Sequence, residues 1–326
     1  MTRLSAIAIT LLAANLYAAP GTALAQERFP VKPVRMIVSV AAGSPTDVVL
    51  RMAGQELLPR LGQPLIMDNR PGGAVTVGAE VCARAAPDGY TYCAVTNATM
   101  SINPHIYSKL GYDPERDFKA VTPLWYLIQG LIASGTLPAK NGRELREIAS
   151  ARPDALNFGT LGIGTGGDVY RQWLNEQWKT NIAGIPYKGA NLIMNALISG
   201  EIQLSRIALG SIGGQLKADR IKLLAIFSSK RSRLFPEVPT VAEVGLDGFT
   251  EKVWWGLLAP AGSPDPMVRR INAEFSRLLR DPKFVEYLDS QLLEPAVMTP
   301  EEFAAFLKED RENAGAMVKR FNVPRQ

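Results

Sequence analysis

The segment Val34-Arg35-Met36-Ile37-Val38-Ser39-Val40-Ala41-Ala42-Gly43-Ser44-Pro45-Thr46-Asp47 holds a strand, a turn and the start of a helix. Val34 to Val40 is a short β-rich run and reads as a strand. Small residues follow. Ser44 then reads as an N-cap, Pro45 as the first helical residue and Asp47 as the capping-box partner. Val49, Met52, Ala53 and Leu57 continue at helical spacing as one buried stripe. A strand that feeds a helix in this way opens a βαβ unit.

The same alternation runs outward from this segment. Leu65 to Met67 and Tyr90 to Thr96 read as further strands with helices between them. A second set runs from Leu127 to Ala133, through Leu156 to Gly159, Ile182 to Tyr187, Ile202 to Ala208 and Lys222 to Ser228. Two α/β lobes account for the length. Pro and Gly at Arg70-Pro71-Gly72-Gly73, Ala86-Pro87-Asp88-Gly89 and Ala259-Pro260-Ala261-Gly262 mark turns, and no low-complexity linker or short repeat separates the lobes.

The second set contains a junction like the first. Leu156 to Gly159 runs into Thr160-Leu161-Gly162-Ile163-Gly164-Thr165-Gly166-Gly167-Asp168, where Thr165 and Asp168 repeat the S/T-x-x-D spacing. Tyr170, Trp173, Leu174 and Trp178 supply the buried face of the helix. A helix N-terminus leaves backbone N–H groups unpaired and carries partial positive charge, so a small, Gly-rich approach makes an anion site without a basic side chain. One junction per lobe suggests a clamp at the carboxyl ends of the strands. Plain helix capping, which nearly every βα junction needs, is the preferred reading of either loop from spacing alone. Asp47 and Asp168 are either cap partners that fix their loops or acceptors for a ligand donor, and capping is the preferred reading. Gly162 to Gly167 also matches G-x-G-x-x-G, but Tyr187-Lys188 stand where a ribose-binding acid should close the next strand. Dinucleotide binding is rejected.

Composition narrows the chemistry. The 326 residues are 47% hydrophobic and 21% charged, which excludes intrinsic disorder as the main character. A dispersed net charge of +5 leans toward anionic ligands and gives no nucleic-acid footprint. One histidine and two cysteines cannot build a His- or Cys-rich metal site, and they leave no spare members for a His-dependent triad. The sole histidine, His105, reads as structural. Residues 1–25 read as an export signal, with Arg3, an apolar Ala6 to Leu16 and cleavage after Ala25, so the mature protein is expected in the periplasm. In that oxidising compartment Cys82 and Cys93 would pair if their Cα atoms came close enough, although two separate buried thiols are the preferred reading.

The residues also carry a resemblance over almost the whole mature chain, from Phe29 to Val323. The matching stretches include Phe29-Pro30-Val31-Lys32-Pro33-Val34-Arg35, Gly43-Ser44-Pro45-Thr46-Asp47, Asp68-Asn69-Arg70-Pro71-Gly72, Ala86-Pro87-Asp88-Gly89-Tyr90 and Tyr112-Asp113-Pro114. They continue with Pro186-Tyr187-Lys188-Gly189-Ala190, Val238-Pro239-Thr240-Val241-Ala242-Glu243, Gly256 to Gly262 and Thr299-Pro300-Glu301-Glu302-Phe303. The sequence resembles the Bug-type, TctC-like substrate-binding proteins of tripartite tricarboxylate transporters. The resemblance implies an α/β, two-lobed periplasmic-binding-protein (Venus-flytrap) fold, each lobe a mostly parallel sheet flanked by helices. The expected division is residues 26–125 with 253–326 as one lobe, 126–252 as the other, and a ligand cleft between them. The implied ligand is a small carboxylate, either an aliphatic di- or tricarboxylate or an aromatic acid. It would be passed to the membrane permease subunits of such a transporter by a monomer that needs no cofactor or metal and does no covalent chemistry. An orphan receptor serving a signalling partner is the alternative, and a secreted hydrolase the remote one. By resemblance the ligand-binding residues are Ala42, Gly43, Ser44, Thr46 and Asp47, then Thr96 and Asn97, then Thr160, Gly164, Thr165, Gly166 and Asp168, with Tyr187 nearby.

Departures from the family pattern bear on the ligand. Ile202-Gln203-Leu204-Ser205-Arg206-Ile207 loses two acids common in relatives and gains Arg206. That favours a more anionic ligand if Arg206 forks onto a second carboxylate, and nothing if it is a surface arginine. Trp125 and Tyr126 either wall the pocket and favour an aromatic acid or pack in the core or hinge. Tyr187 is either a pocket hydroxyl or a packed strand residue. Asp168 stands where a His is common, and Thr76 where an Asn is.

Overall fold

A computed structural model of the chain describes residues 29–72, 75–211, 220–246, 248–249 and 251–325. The expected export signal lies outside the described residues. β1 (Val34–Val38) leads to α1 (Pro45–Leu61), which starts at Ser44 and stops at Gly62, where φ is +68° and the N–H bonds Leu58 O at 2.8 Å. β2 (Leu65–Asn69), α2 (Thr76–Ala83) and β3 (Thr91–Thr96) follow, and β1 pairs in parallel with both neighbouring strands. A π-helical turn (Ala98–Ile102) and α3 (Asn103–Ile106) lead to β4 (Phe118–Leu127). The chain then leaves the first sheet.

β5 (Gln129–Ser134), α4 (Gly142–Ala151), β6 (Asn157–Thr160), α5 (Gly166–Trp178), β7 (Ala183–Pro186), α6 (Ala190–Ser199), β8 (Leu204–Ala208) and β9 (Ile221–Phe227) build the second sheet, in the order β7-β6-β8-β5-β9. β10 (Trp254–Pro260) returns to the first sheet. α7 (Asp265–Leu278), α8 (Pro282–Ser290), β11 (Leu293–Pro295) and α9 (Pro300–Arg320) complete the described chain, and the first sheet has the order β11-β4-β10-β3-β1-β2. The strands expected from residue alternation all appear. The sheets, however, are mixed rather than mostly parallel: β10 is antiparallel to β3 and β4, and β5 is antiparallel to β8 and β9. β10 and β5 are the strands that enter from the other lobe. They insert centrally and run against their neighbours, where no helical crossover is needed.

Each sheet is covered on both faces. Met36 faces the cluster of Leu50, Leu57, Ile271 and Phe275, whereas Ile37 faces Cys82, Met100, Trp254 and Phe303, as strand alternation requires. Cys82 on α2 and Cys93 on β3 belong to the latter cluster and are joined as a disulfide, with Cα atoms 6.2 Å apart. The preferred reading of two separate thiols is therefore corrected: α2 packs across β3 and brings both sulfurs to one buried spot. Trp125 is 1% exposed inside the first core, and Tyr126 packs against Phe306, so both are core residues and not pocket walls.

The chain's end reaches elements of both sheets. α9 begins with a full capping box, Thr299 with Glu302, and buries Phe303 and Leu307 in the first lobe. Its far end bonds Glu176 through Arg320 at 2.5 Å, and Phe321 packs on the second core. Val323 lies against Gly164. The helix thus straps one lobe to the other, and its last turn does not belong to the first lobe alone.

Candidate functional site

The first loop is built around one carboxylate. Asp47 is 1% exposed and accepts hydrogen bonds from Gly43 N at 2.8 Å, Arg51 Nε at 2.8 Å and Asn69 Nδ2 at 2.9 Å. Asn69 also donates to Val40 O at 3.0 Å, so β2 buttresses the loop that follows β1. Gly43 sits at φ +77°, in the left-handed region, which turns its N–H back onto Asp47. Ser44 caps α1 through its hydroxyl, which accepts from Asp47 N at 3.4 Å. With those donors committed, the N–H groups of Ala42 and Thr46 make no hydrogen bond among the described residues. Ala41, Ala42 and Gly43 are exposed. The result is a rigid turn that presents free donors at a helix N-terminus.

The second loop repeats this construction. Asp168, 4% exposed, accepts from Gly164 N at 3.0 Å, Arg171 Nη2 at 2.9 Å and Gln172 Nε2 at 3.1 Å. Gly164 also has φ +77°. Thr165 differs from Ser44, because its hydroxyl donates to Gly162 O at 2.7 Å and does not cap α5. Thr160 is buried and accepts from Gly162 N through its hydroxyl. In both loops the Asp side chain is committed to the loop itself, which is the capping reading. Neither carboxylate is available as a ligand acceptor.

Burial pushes the Asp47 carboxyl up, but the hydrogen bonds from Arg51, Gly43 and Asn69 outweigh it, so its pKa lies below the ordinary 3.8. A depressed pKa stabilises the fold at every pH above 3.8, and that contribution is lost as pH falls through the folded value. Asp47→Asn should therefore cost about 1.5–3 kcal/mol at pH 7, the worth of a hydrogen bond to a charged group. The gap between variant and parent should close only below pH 3.8, a trend that urea unfolding at a series of pH values would follow.

Arg206 is neither a surface arginine nor a free fork. Its side chain is 1% exposed, and Nη1 bonds Glu251 Oε2 at 2.5 Å and Gly166 O at 3.1 Å. The guanidinium lies 4.5 Å from the ring of Phe227 and 5.1 Å from that of Phe249. Glu251 neutralises it, so the inference of a more anionic ligand falls. The Glu251 carboxylate in turn lies beside Gly166, whose added Cβ would come within 2.6 Å of it. The start of α5 therefore has the Arg206–Glu251 pair at its flank. A cavity of about 20 Å³ between Gly164, Gly166, Glu251, Ile102 and Val323 has room for about one water.

The remaining candidates gather by sheet edge. Thr96 ends β3 beside β1, with its hydroxyl accepting from Ala98 N at 3.0 Å, and Asn97 next to it is 4% exposed. Tyr187 follows β7, and its N–H bonds Thr160 O at 2.8 Å. Its hydroxyl donates to Glu201 at 2.8 Å. Desolvation first, and that bond second, push the Tyr187 pKa up to about 12. His105 Nε2 lies 2.9 Å from Arg311 O, a structural contact as expected. Sequence reasoning missed Arg51, Asn69 and Glu251. Arg51 was open to discovery, since it stands one helical turn after Asp47. Glu251 carried no local signal.

A family model described as the tripartite tricarboxylate transporter family receptor matches residues 49–323. Its match begins just after the first loop. Among solved structures, the periplasmic binding protein BugD is 31% identical with a TM-score of 0.72, over 91% of this chain and all of that one. A protein of R. palustris with adipate is 26% identical, with a TM-score of 0.76 over 91% of this chain and 100% of its own. MatC from Rhodopseudomonas palustris, with bound malate, is 30% identical, with a TM-score of 0.69 over 89% of this chain and 100% of its own.

Proposed function

From the premise that the chain belongs to the tripartite tricarboxylate transporter receptor family, we propose that it captures a small carboxylate between its lobes for delivery to membrane permease subunits. Membership places it among solute receptors and not among enzymes. The observation that carries the ligand class is the first loop, where Asp47 and Gly43 hold a turn whose Ala42 and Thr46 N–H groups have no partner among the described residues. Two similar structures, with adipate and with malate, support the same class.

In this reading Ala42, Ser44 and Thr46 meet the carboxylate from one lobe, with Thr96 and Asn97 on the same sheet edge. Thr160, Thr165 and Gly166 approach from the other lobe, and Tyr187 stands at its rim. Gly43, Gly164, Asp47 and Asp168 shape the loops, and Arg206 anchors the second loop through Gly166. The chain passes between the lobes at Ile128 and again before Trp254, and hinge motion there closes the cleft. The ligand stabilises the closed state by its differential affinity for it. Export with cleavage after Ala25 would place the receptor in the periplasm. No helix of the described residues is long and apolar enough to cross a membrane.

A thermal-shift screen of ligand-stripped protein against mono-, di- and tricarboxylates and aromatic acids tests the reading. A ligand at about 100 times its Kd adds about 2.7 kcal/mol of stability, so one class should raise the melting temperature reproducibly. A flat response to every carboxylate would remove the proposal.

A further inference from the structure

Nine large apolar side chains stand exposed among the described residues, and five of them lie where helices begin at the carboxyl edges of the sheets. Val48 and Val77 occupy the first turns of α1 and α2, above adjacent strands of the first sheet. Leu161 and Ile163 follow the end of β6, and Leu192 occupies the first turn of α6 after β7, above adjacent strands of the second. Ile163 is 71% exposed and Leu161 53%, in a loop whose other members are Gly, Thr and Asp. Exposed apolar residues scattered singly need no explanation, but a group on the two edges that close on a ligand does.

Cationic side chains at the same edges are already engaged. Arg51 is paired with Asp47, Arg171 with Asp168 and Arg206 with Glu251. Lys188 remains as an exposed charge beyond β7. The Glu251 carboxylate beside the start of α5 is paired with Arg206, so the pair leaves no free charge of either sign for a ligand there. The edges thus offer backbone donors for a carboxylate on the first loop and hydrocarbon on the second.

We infer that the protein selects a carboxylate with an apolar body, and that Leu161 and Ile163 are the specificity-determining residues that meet that body. This inference rests on the carboxylate-receptor reading above. A hydroxyl on the ligand would lose water against these side chains without gaining a partner. Each methylene removed from water is worth about a fourfold gain in affinity.

Isothermal titration of the full mature chain, stripped of ligand by unfolding and refolding, with hexanoate, adipate and malate tests it. Hexanoate and adipate should bind at least about tenfold more tightly than malate, as two to three buried methylenes require. The double variant Leu161→Ser, Ile163→Ser, in which both side chains are exposed and removable without opening the core, should lose about tenfold on the six-carbon acids. Its affinity for malate should change by less than about threefold, with the melting temperature of the free protein unchanged. Malate binding as tightly as hexanoate, or a variant that weakens all three acids alike or none, overturns the inference and leaves the receptor reading standing. Failure of these and every other carboxylate to bind overturns both.

Discussion

Arg206→Ala should lower the stability of the ligand-free protein by about 3–5 kcal/mol, the cost of leaving a buried charge without its partner. The partner is Glu251, whose side chain is 7% exposed and has the Arg206 guanidinium on one side and Gly166 on the other. At about 2–4 °C per kcal/mol for domains of this size, the melting temperature should fall by about 6–20 °C. The Arg206 Nε atom is itself buried without a hydrogen bond among the described residues, so the pair is not a fully satisfied network. Replacing both members with apolar residues, Arg206→Met with Glu251→Leu, should accordingly recover most of the loss. If Arg206 instead forked onto the ligand, the single variant would keep its melting temperature and lose affinity. Calorimetry of the single and double variants separates the two outcomes.

The same pair shows where the sequence stops being legible. Strands and helices were readable because alternation and 3.6-residue spacing are local: Val34, Met36, Ile37 and Val38, the stripe of Val49, Ala53 and Leu57 with Met52 half-buried beside it, and Tyr170, Trp173, Leu174 and Trp178 are buried as their spacing requires. The Ser44 cap was readable too, because it acts within one turn of itself, whereas Thr165, at the same spacing, turns its hydroxyl to Gly162 O and does not cap α5. The Asp47 and Asp168 carboxylates were harder, since capping and ligand contact use the same residue at the same spacing, and only the bonds from Gly43 and Gly164 decide. Arg206 was illegible. Its fate depends on Glu251, 45 residues away in the return segment, and on Phe227 and Phe249. Loss of two acids in the strand and gain of an arginine looked like a change of ligand, but Arg206 is neutralised by an acid in another segment. The mixed sheets, the disulfide and the strap made by α9 are likewise long-range. Each depends on where a segment docks and not on its own pattern.

Thr46→Pro is the substitution that isolates the first loop. Thr46 is the second residue of α1, and its N–H is one of the donors a helix start leaves without an intrahelical acceptor. Proline fits the first turn of a helix, so the variant removes that donor without breaking a bond of the fold. Its ring disfavours the helical region at Pro45, a strain confined to the first turn, and the melting temperature of the free protein should move by no more than a few degrees. A hydrogen bond to a charged group is worth about 1.5–3 kcal/mol, so affinity for the bound acid should fall at least about tenfold. Thr46→Ala keeps the N–H and should retain most of the binding. Gly164→Val is a poorer probe of the second loop: a β-branched residue at φ +77° is strained, and its Cβ would run into Val323. That variant should lose stability and undock the end of the chain whether or not Gly164 touches ligand. Titration of the acid found in the screen against Thr46→Pro and Thr46→Ala decides the point, because equal affinity in the two would take the N-terminus of α1 out of the binding site.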